Sequence, residues 1–291
     1  MNIKGIKRRL QEAHQNFIAS IDNEEISKII NENSFITGGA IVSLLQDEEP
    51  NDYDYYFTDI ESCKKVAEYY VKKFNKANRN EFDVEVKESE NGRVSIYVPS
   101  SGIAKNKYIK GFKPVFLSSN AITLSDNVQL ITRFYGEPDE IHENYDFVHC
   151  TCYYRPKGNE LILPQKALES LITKELKYVG SKYPLASIVR ARKFIERGWK
   201  INAGQYLKMI LQCGKLDLSD ASVLEDQLTG VDLSLFRMVI EAINQKKESE
   251  PSFDFPMDWI TDVIDKVFDE EDLNEYIHSN DNDGEPDNVF G

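Results

Sequence analysis

The chain has 291 residues, 41% hydrophobic and 29% charged, which describes a globular protein of one large or two modest domains. It contains no apolar run approaching the roughly 20 residues that span a bilayer, and its basic start, MNIKGIKRRLQEAH, lacks the apolar stretch of a secretion signal. The expectation is a protein of the cytoplasm with no membrane partner. The formal charge of −14 is uneven: fourteen of the acids and only one base, Lys266, lie in residues 250–291, so the rest of the chain is close to neutral. That body is able to meet a polyanion locally, whereas the acidic end would repel one.

In chain order, residues 4–33 read as helical, with Ile6, Leu10, Phe17, Ile21 and Ile26 near helical spacing. Phe35-Ile36-Thr37 is a short apolar strand stopped by Gly38-Gly39, and Ala40–Leu45 resumes a helix. After turn material at 47–51, Asp52-Tyr53-Asp54-Tyr55-Tyr56-Phe57 alternates as a strand does. Residues 61–77 form an amphipathic pattern, and Phe82–Lys87 and Arg93–Val98 read as strands joined by the hairpin signal Asn91-Gly92. Val115–Leu117, Val128–Thr132 and Tyr145–Tyr154 are further expected strands. From Pro164 onward the pattern is helical, over 165–179, 184–198, 203–213, 221–229, 233–246 and 258–277, and residues 279–291 form an acidic tail of disordered composition. The expected organisation is a mixed-sheet head over 1–163, a helical neck and body over 164–278, and the tail.

Chemistry concentrates at Thr37-Gly38-Gly39 and Asp52-x-Asp54. Two carboxylates two apart on a strand project from one face and can grip a divalent cation through hard oxygen ligands. Paired glycines let backbone approach a phosphate, and the following helix presents its N–H groups to an anion. Either feature alone is ordinary: a D-x-D occurs on solvated strands, and Gly-Gly is often a turn. Cys63, Cys150, Cys152 and Cys213 make no C-x-x-C pair, and Cys150-x-Cys152 beside His142 and His149 lacks the usual zinc spacing, so free core thiols are expected. The two histidines could serve as bases, but a lone histidine on a strand is more often a packed or exposed residue.

In this order and spacing the two features resemble the signature of the DNA polymerase beta superfamily of nucleotidyltransferases. The run Gly38-Gly39-Ala40-Ile41-Val42-Ser43-Leu44-Leu45, the segment Asn144-Tyr145-Asp146-Phe147 with Glu160–Pro164 behind it, and Arg190-Ala191-Arg192-Lys193-Phe194-Ile195-Glu196-Arg197-Gly198-Trp199 are similar, in sequence order, to the head and neck of CCA-adding tRNA nucleotidyltransferases and bacterial poly(A) polymerases. The resemblance implies an α+β fold, a nucleotidyltransferase-type mixed-sheet head followed by an all-helical body. It implies Mg²⁺ held by Asp52 and Asp54, with Asp146 as a third acid. It further implies a nucleoside triphosphate cradled by Gly38 and Gly39 and assisted by Arg190 and Lys193, with an RNA 3′ end as acceptor. Arg133 is a weaker phosphate candidate. The chain departs from that pattern at Val42-Ser43, where the family carries Arg-Asp, at Asn144-Tyr145, where it carries paired arginines, and at Gln129, where an acid is expected. No template for reading a base is evident. These departures leave two other expectations standing: a protein or small-molecule acceptor, and a nucleotidyltransferase-like fold without activity that serves as a binding or structural, phage-type component.

Overall fold

The structure is a computed structural model that describes residues 2–78, 84–88, 94–97, 103–104, 110–218, 220–227, 234–252 and 256–269. Two helices open it, α1 (Ile3–Ala19) and α2 (Glu24–Glu32), where the sequence predicts one. The break is local chemistry. The Ser20 hydroxyl closes α1 by donating to the Phe17 carbonyl, and the Asn23 side chain restarts the chain by accepting from the Ile26 N–H. Ile6, Leu10, His14 and Phe17 form the inward stripe of α1.

Strand β1 (Ser34–Thr37) and helix α3 (Gly39–Leu45) lead to β2 (Tyr53–Phe57) and the long helix α4 (Ile60–Ala77), capped by Asp59. Next come β3 (Glu85–Glu88), β4 (Val94–Tyr97), β5 (Ile103–Ala104), β6 (Pro114–Leu117), β7 (Ala121–Leu124), β8 (Val128–Tyr135) and α5 (Pro138–His142). A 3-10 turn (Val148–Thr151), β9 (Tyr153–Arg155), β10 (Glu160–Ile162) and α6 (Gln165–Thr173) follow. Strands β3 and β4 pair antiparallel with each other, as expected; the Asn91-Gly92 turn between them lies outside the described residues. The remaining strands form one mixed sheet in the order β10-β9-β1-β2-β8-β7-β6-β5, in which β2 and β8 run parallel and the other neighbours antiparallel.

Both faces of the central strands are buried. On one, Tyr55 meets Phe17 (5.2 Å between ring centroids) and His14 from α1, while Phe17 also reaches Tyr70 of α4. On the other, Tyr56 stacks on Phe35 and meets Tyr145. This two-sided burial explains why β2 reads as nearly continuous aromatic residues.

One expected strand is corrected. Residues 145–152 are not extended: Asp146 sits in a bend, Phe147 makes a single bridge to Tyr178, the 3-10 turn follows, and only Tyr153–Arg155 is strand. The segment finds its backbone partners in residues 177–179. Val148 N–H donates to the Lys177 carbonyl and Val179 N–H to that of Asp146, so no sheet neighbour is needed. These bonds also move the break between compact units. The first ends at Val179 and the second begins at Gly180, rather than at 163 and 164, because α6 packs on the 3-10 turn and Leu176 and Tyr178 are buried.

The second unit is helical in its described residues: α7 (Pro184–Glu196), α8 (Ala203–Cys213), α9 (Ala221–Gln227), α10 (Ser234–Ser249) and α11 (Met257–Asp269). The helix expected over 165–179 is shorter, and the one expected over 258–277 is described only as far as Asp269. Lys174 in the left-handed region ends α6, and residues past 269 lie outside the described residues, as does the expected tail. The α+β expectation, a mixed-sheet head followed by a helical body, holds. Among the described residues no helix is long and apolar enough to cross a membrane.

Candidate functional site

The site grows from the bend between β1 and α3. Gly38 lies at φ 89° and ψ −143°, backbone that a residue with a Cβ rarely adopts, and it turns the chain from strand into helix. Helix α3 has only seven residues, so its dipole is small and the bend itself is the more distinctive element. Thr37, immediately before the bend, is fully buried. Its hydroxyl donates to the Cys152 carbonyl (2.9 Å) and stands 2.9 Å from His142 Nε2. With the single hydroxyl proton committed, His142 is the donor, as a neutral ring. Burial agrees, pushing His142 down to about 4 against the opposing pull of Asp139.

Asp52 sits one residue before β2 and Asp54 within it, 5% exposed. Burial, and secondly the charge of Asp52, push the Asp54 carboxyl well above the usual carboxylate range. The two acids therefore feel each other, as residues two apart on a strand should. The phenols of Tyr56 and Tyr145 are raised first by burial, and the Asp54 charge adds to the shift in each. Such a pair fits a hard divalent cation: two carboxylate donors carry the charge that one such ion balances, and the ion would offset the cost of burying Asp54 ionised. Among the described residues no cluster of three or more His, Cys, Asp or Glu side chains is arranged to hold a metal.

Gln129, fully buried, lies in register with Asp54 across the parallel β2–β8 pairing, and its Nε2 donates to Thr123 Oγ1 (3.3 Å) on β7. Asp146 is buried in its bend, where its Oδ1 accepts from the Phe147 N–H (3.0 Å) and its carbonyl from Val179. Asn144 and Tyr145 have work of their own: the Asn144 amide donates to the Glu140 carbonyl at the end of α5, and the Tyr145 ring packs on Tyr56. Arg133 is buried on β8 with its guanidinium over the Phe134 ring. Arg190 and Lys193 lie on α7 of the second unit, where Arg190 is buried, Lys193 is half-buried and Arg192 pairs with Glu196. The first unit thus brings together Gly38, Gly39, Asp52 and Asp54. It adds Thr37, His142 and Tyr145, to which sequence reasoning gave no role at the bend because their partners lie in distant segments, 105 residues apart for Thr37 and His142.

Residues 8–174, more than half of the chain and all in the first unit, match the family described as Gabija anti-defense 2. The chain belongs to this family. The Gabija anti-defense 2 protein of Bacillus phage SPbetaL7 is 25% identical over 266 residues, covering 89% of this chain, which in turn spans 56% of that relative's length. Among solved structures, this Gabija anti-defense 2 family member is similar to the Thermotoga maritima CCA-adding enzyme complexed with tRNA, at 14% identity and a TM-score of 0.40, covering 94% of this chain and 62% of that one. It is also similar to the Bacillus stearothermophilus CCA-adding enzyme in complex with CTP, at 11% identity and a TM-score of 0.39, covering 79% and 52%.

Proposed function

We propose that this chain is a metal-dependent nucleotidyltransferase of the Gabija anti-defense 2 family, acting in the cytoplasm of an infected cell against a bacterial defence. Asp52 and Asp54 hold Mg²⁺ with a nucleoside triphosphate, and Gly38 and Gly39 cradle its phosphates. In the reaction an acceptor oxygen forms a bond to the α-phosphorus while the bond from that phosphorus to the bridging β-phosphate oxygen breaks, pyrophosphate leaves with the electron pair, and the acceptor's hydroxyl proton passes to solvent water. The cation, when bound, would lower the charge on the triphosphate and on the leaving pyrophosphate. Thr37 and His142 hold the bend in place, and Tyr56 and Tyr145 keep water from the inner side of Asp54. Asp146, expected as a third acid, is assigned a holding role through Phe147 and Val179. Arg190 and Lys193 belong to the helical unit and carry no step of this proposal.

The observation that carries this reading is the Asp52–Asp54 pair at the start of β2 beside a glycine bend whose φ only glycine adopts with ease. Purified protein incubated with Mg²⁺, each α-labelled nucleoside triphosphate, host RNA and host protein should transfer label, and Asp52→Ala should abolish the transfer with its thermal unfolding unchanged. The labelled species then identifies the acceptor as an RNA 3′ end, a protein or a small molecule. No transfer together with no triphosphate binding by calorimetry would sink the proposal. Binding without transfer supports a second reading, a nucleotide-holding component without catalysis, which the neutral Gln129 beside Asp54 favours.

A further inference from the structure

The sheet places a row of side chains across three strands. Asp54 on β2 is in register with Gln129 on β8, and Gln129 is in register with Thr123 on β7. Partners in register project from the same face, so Gln129 is the nearest lateral neighbour of Asp54 on that side. On the other side, β1 and β2 pair at Ile36 and Tyr55, and the next position along β1 is Thr37, whose hydroxyl is engaged by His142 and Cys152. Thr37 and Gln129, the positions beside Asp54 on the two flanking strands, are both uncharged.

Resting on the cation-binding reading above, we propose that the site holds one divalent cation with its nucleotide rather than two, and that Gln129 is the residue that sets this number. Two carboxylates balance the charge of one divalent ion. The triphosphate supplies anionic oxygens to the ion that it accompanies; a second ion, set for the acceptor, would lie away from most of that charge, and among the described residues no third carboxylate joins the pair to hold it against the repulsion of the first. Gln129 occupies the place from which a third carboxylate would bridge such a pair. The Gln129 Nε2 donates to Thr123 Oγ1, which turns the nitrogen end of the amide toward β7 and the oxygen end away from it. A neutral oxygen can complete the shell of one hard cation but cannot compensate a second. The site therefore binds a cation–triphosphate complex firmly and gives an acceptor hydroxyl no cation of its own. Gln129 acts here as a specificity-determining residue for metal number.

The test uses Mn²⁺ as the probe, with the full chain and a non-hydrolysable α,β-methylene ATP, read by electron paramagnetic resonance. The wild-type protein should show a single uncoupled Mn²⁺ per chain, lost on Asp52→Ala. Gln129→Glu should produce the exchange-coupled signal of an ion pair and tighten Mn²⁺ by about tenfold through the added ligand charge. A coupled pair in the wild type overturns the one-cation proposal while leaving the cation site intact. Protein-bound Mn²⁺ that is missing, or indifferent to Asp52→Ala, overturns the cation site itself and this proposal with it. An uncoupled single ion in folded Gln129→Glu removes Gln129 as the determinant. Should that variant not fold, the wild-type signal and Gln129→Ala, expected to keep one uncoupled ion, decide the question.

Discussion

Three histidines of the sheet unit, His14, His142 and His149, are each pushed down to about 4, in every case chiefly by burial. For His14 the hydrogen bond with Asn31 opposes the shift and loses to desolvation. The unfolded chain takes up a proton near the ordinary value of 6.5, whereas the folded ring refuses it until about 4. Stability is therefore complete above the unfolded value and is lost as pH falls from there toward the folded one, at about 1.4 kcal/mol per pH unit for each ring. For His14 alone the loss amounts to about 3 kcal/mol. Urea unfolding between about pH 7 and pH 4.5 should show this decline, and His14→Gln, which removes one of the three titrations, should lower its slope by about a third. An unchanged slope in that variant would rule out His14 as a source. In the sequence His142 and His149 read as packed histidines and His14 carries no reading, because their neighbours, such as Tyr55 for His14 and Thr37 for His142, come from distant segments. Asp52 and Asp54 were legible for the opposite reason: their spacing is a property of any strand.

At the scale of elements, the β1–α3 bend separates two adjacent glycines by their duties. Gly38 at φ 89° and ψ −143° is the strained position, while Gly39 is the first residue of helix α3. Gly38→Ala should cost about 1–3 kcal/mol. Gly39→Ala should be neutral or mildly stabilising, since glycine within a helix costs roughly 0.5–1 kcal/mol relative to alanine. Thermal unfolding with and without Mg²⁺ and ATP reads both effects, with the ligand-dependent stabilisation lost in Gly38→Ala. Equal melting of the two variants would contradict this division. Elements with a strong period or an explicit cap, such as α4 behind Asp59, are visible in the sequence. The 145–152 segment misled because an apolar, aromatic run buried on all sides has no period that separates strand from compact turn, and its hydrogen bonds go to residues 177–179. Strand β7 escaped notice for a related reason: four residues between turns carry too little pattern.

For the whole molecule, the boundary between compact units has a measurable consequence. Residues 164–179 contribute the buried Ala167, Leu171, Leu176 and Tyr178, and they satisfy the backbone of Asp146 and Val148. A fragment of residues 1–179 should unfold in one cooperative transition, whereas a fragment of residues 1–163 should be aggregated or molten, as circular dichroism and calorimetry would show. Comparable stability of the two fragments would show that α6 and its strap are dispensable. The charge imbalance belongs to the same scale. The acids crowd into residues 250–291, past the Gabija anti-defense 2 match, so the sheet unit that holds the proposed site is not itself strongly acidic.

The amino-acid order alone determined what depends on neighbours a few residues apart: the glycine bend, the pair of carboxylates on one strand face, the change from mixed sheet to helices, and the placement of charge. Only the tertiary structure decided which side chains surround Asp54. The parallel register of β2 with β8 brings a neutral amide to its side, and the fold of residues 138–153 sets Tyr145 and His142 over the bend. Those arrangements arise from strand pairing and burial between segments far apart in the chain, where free energy is set by which surfaces meet and not by any local preference.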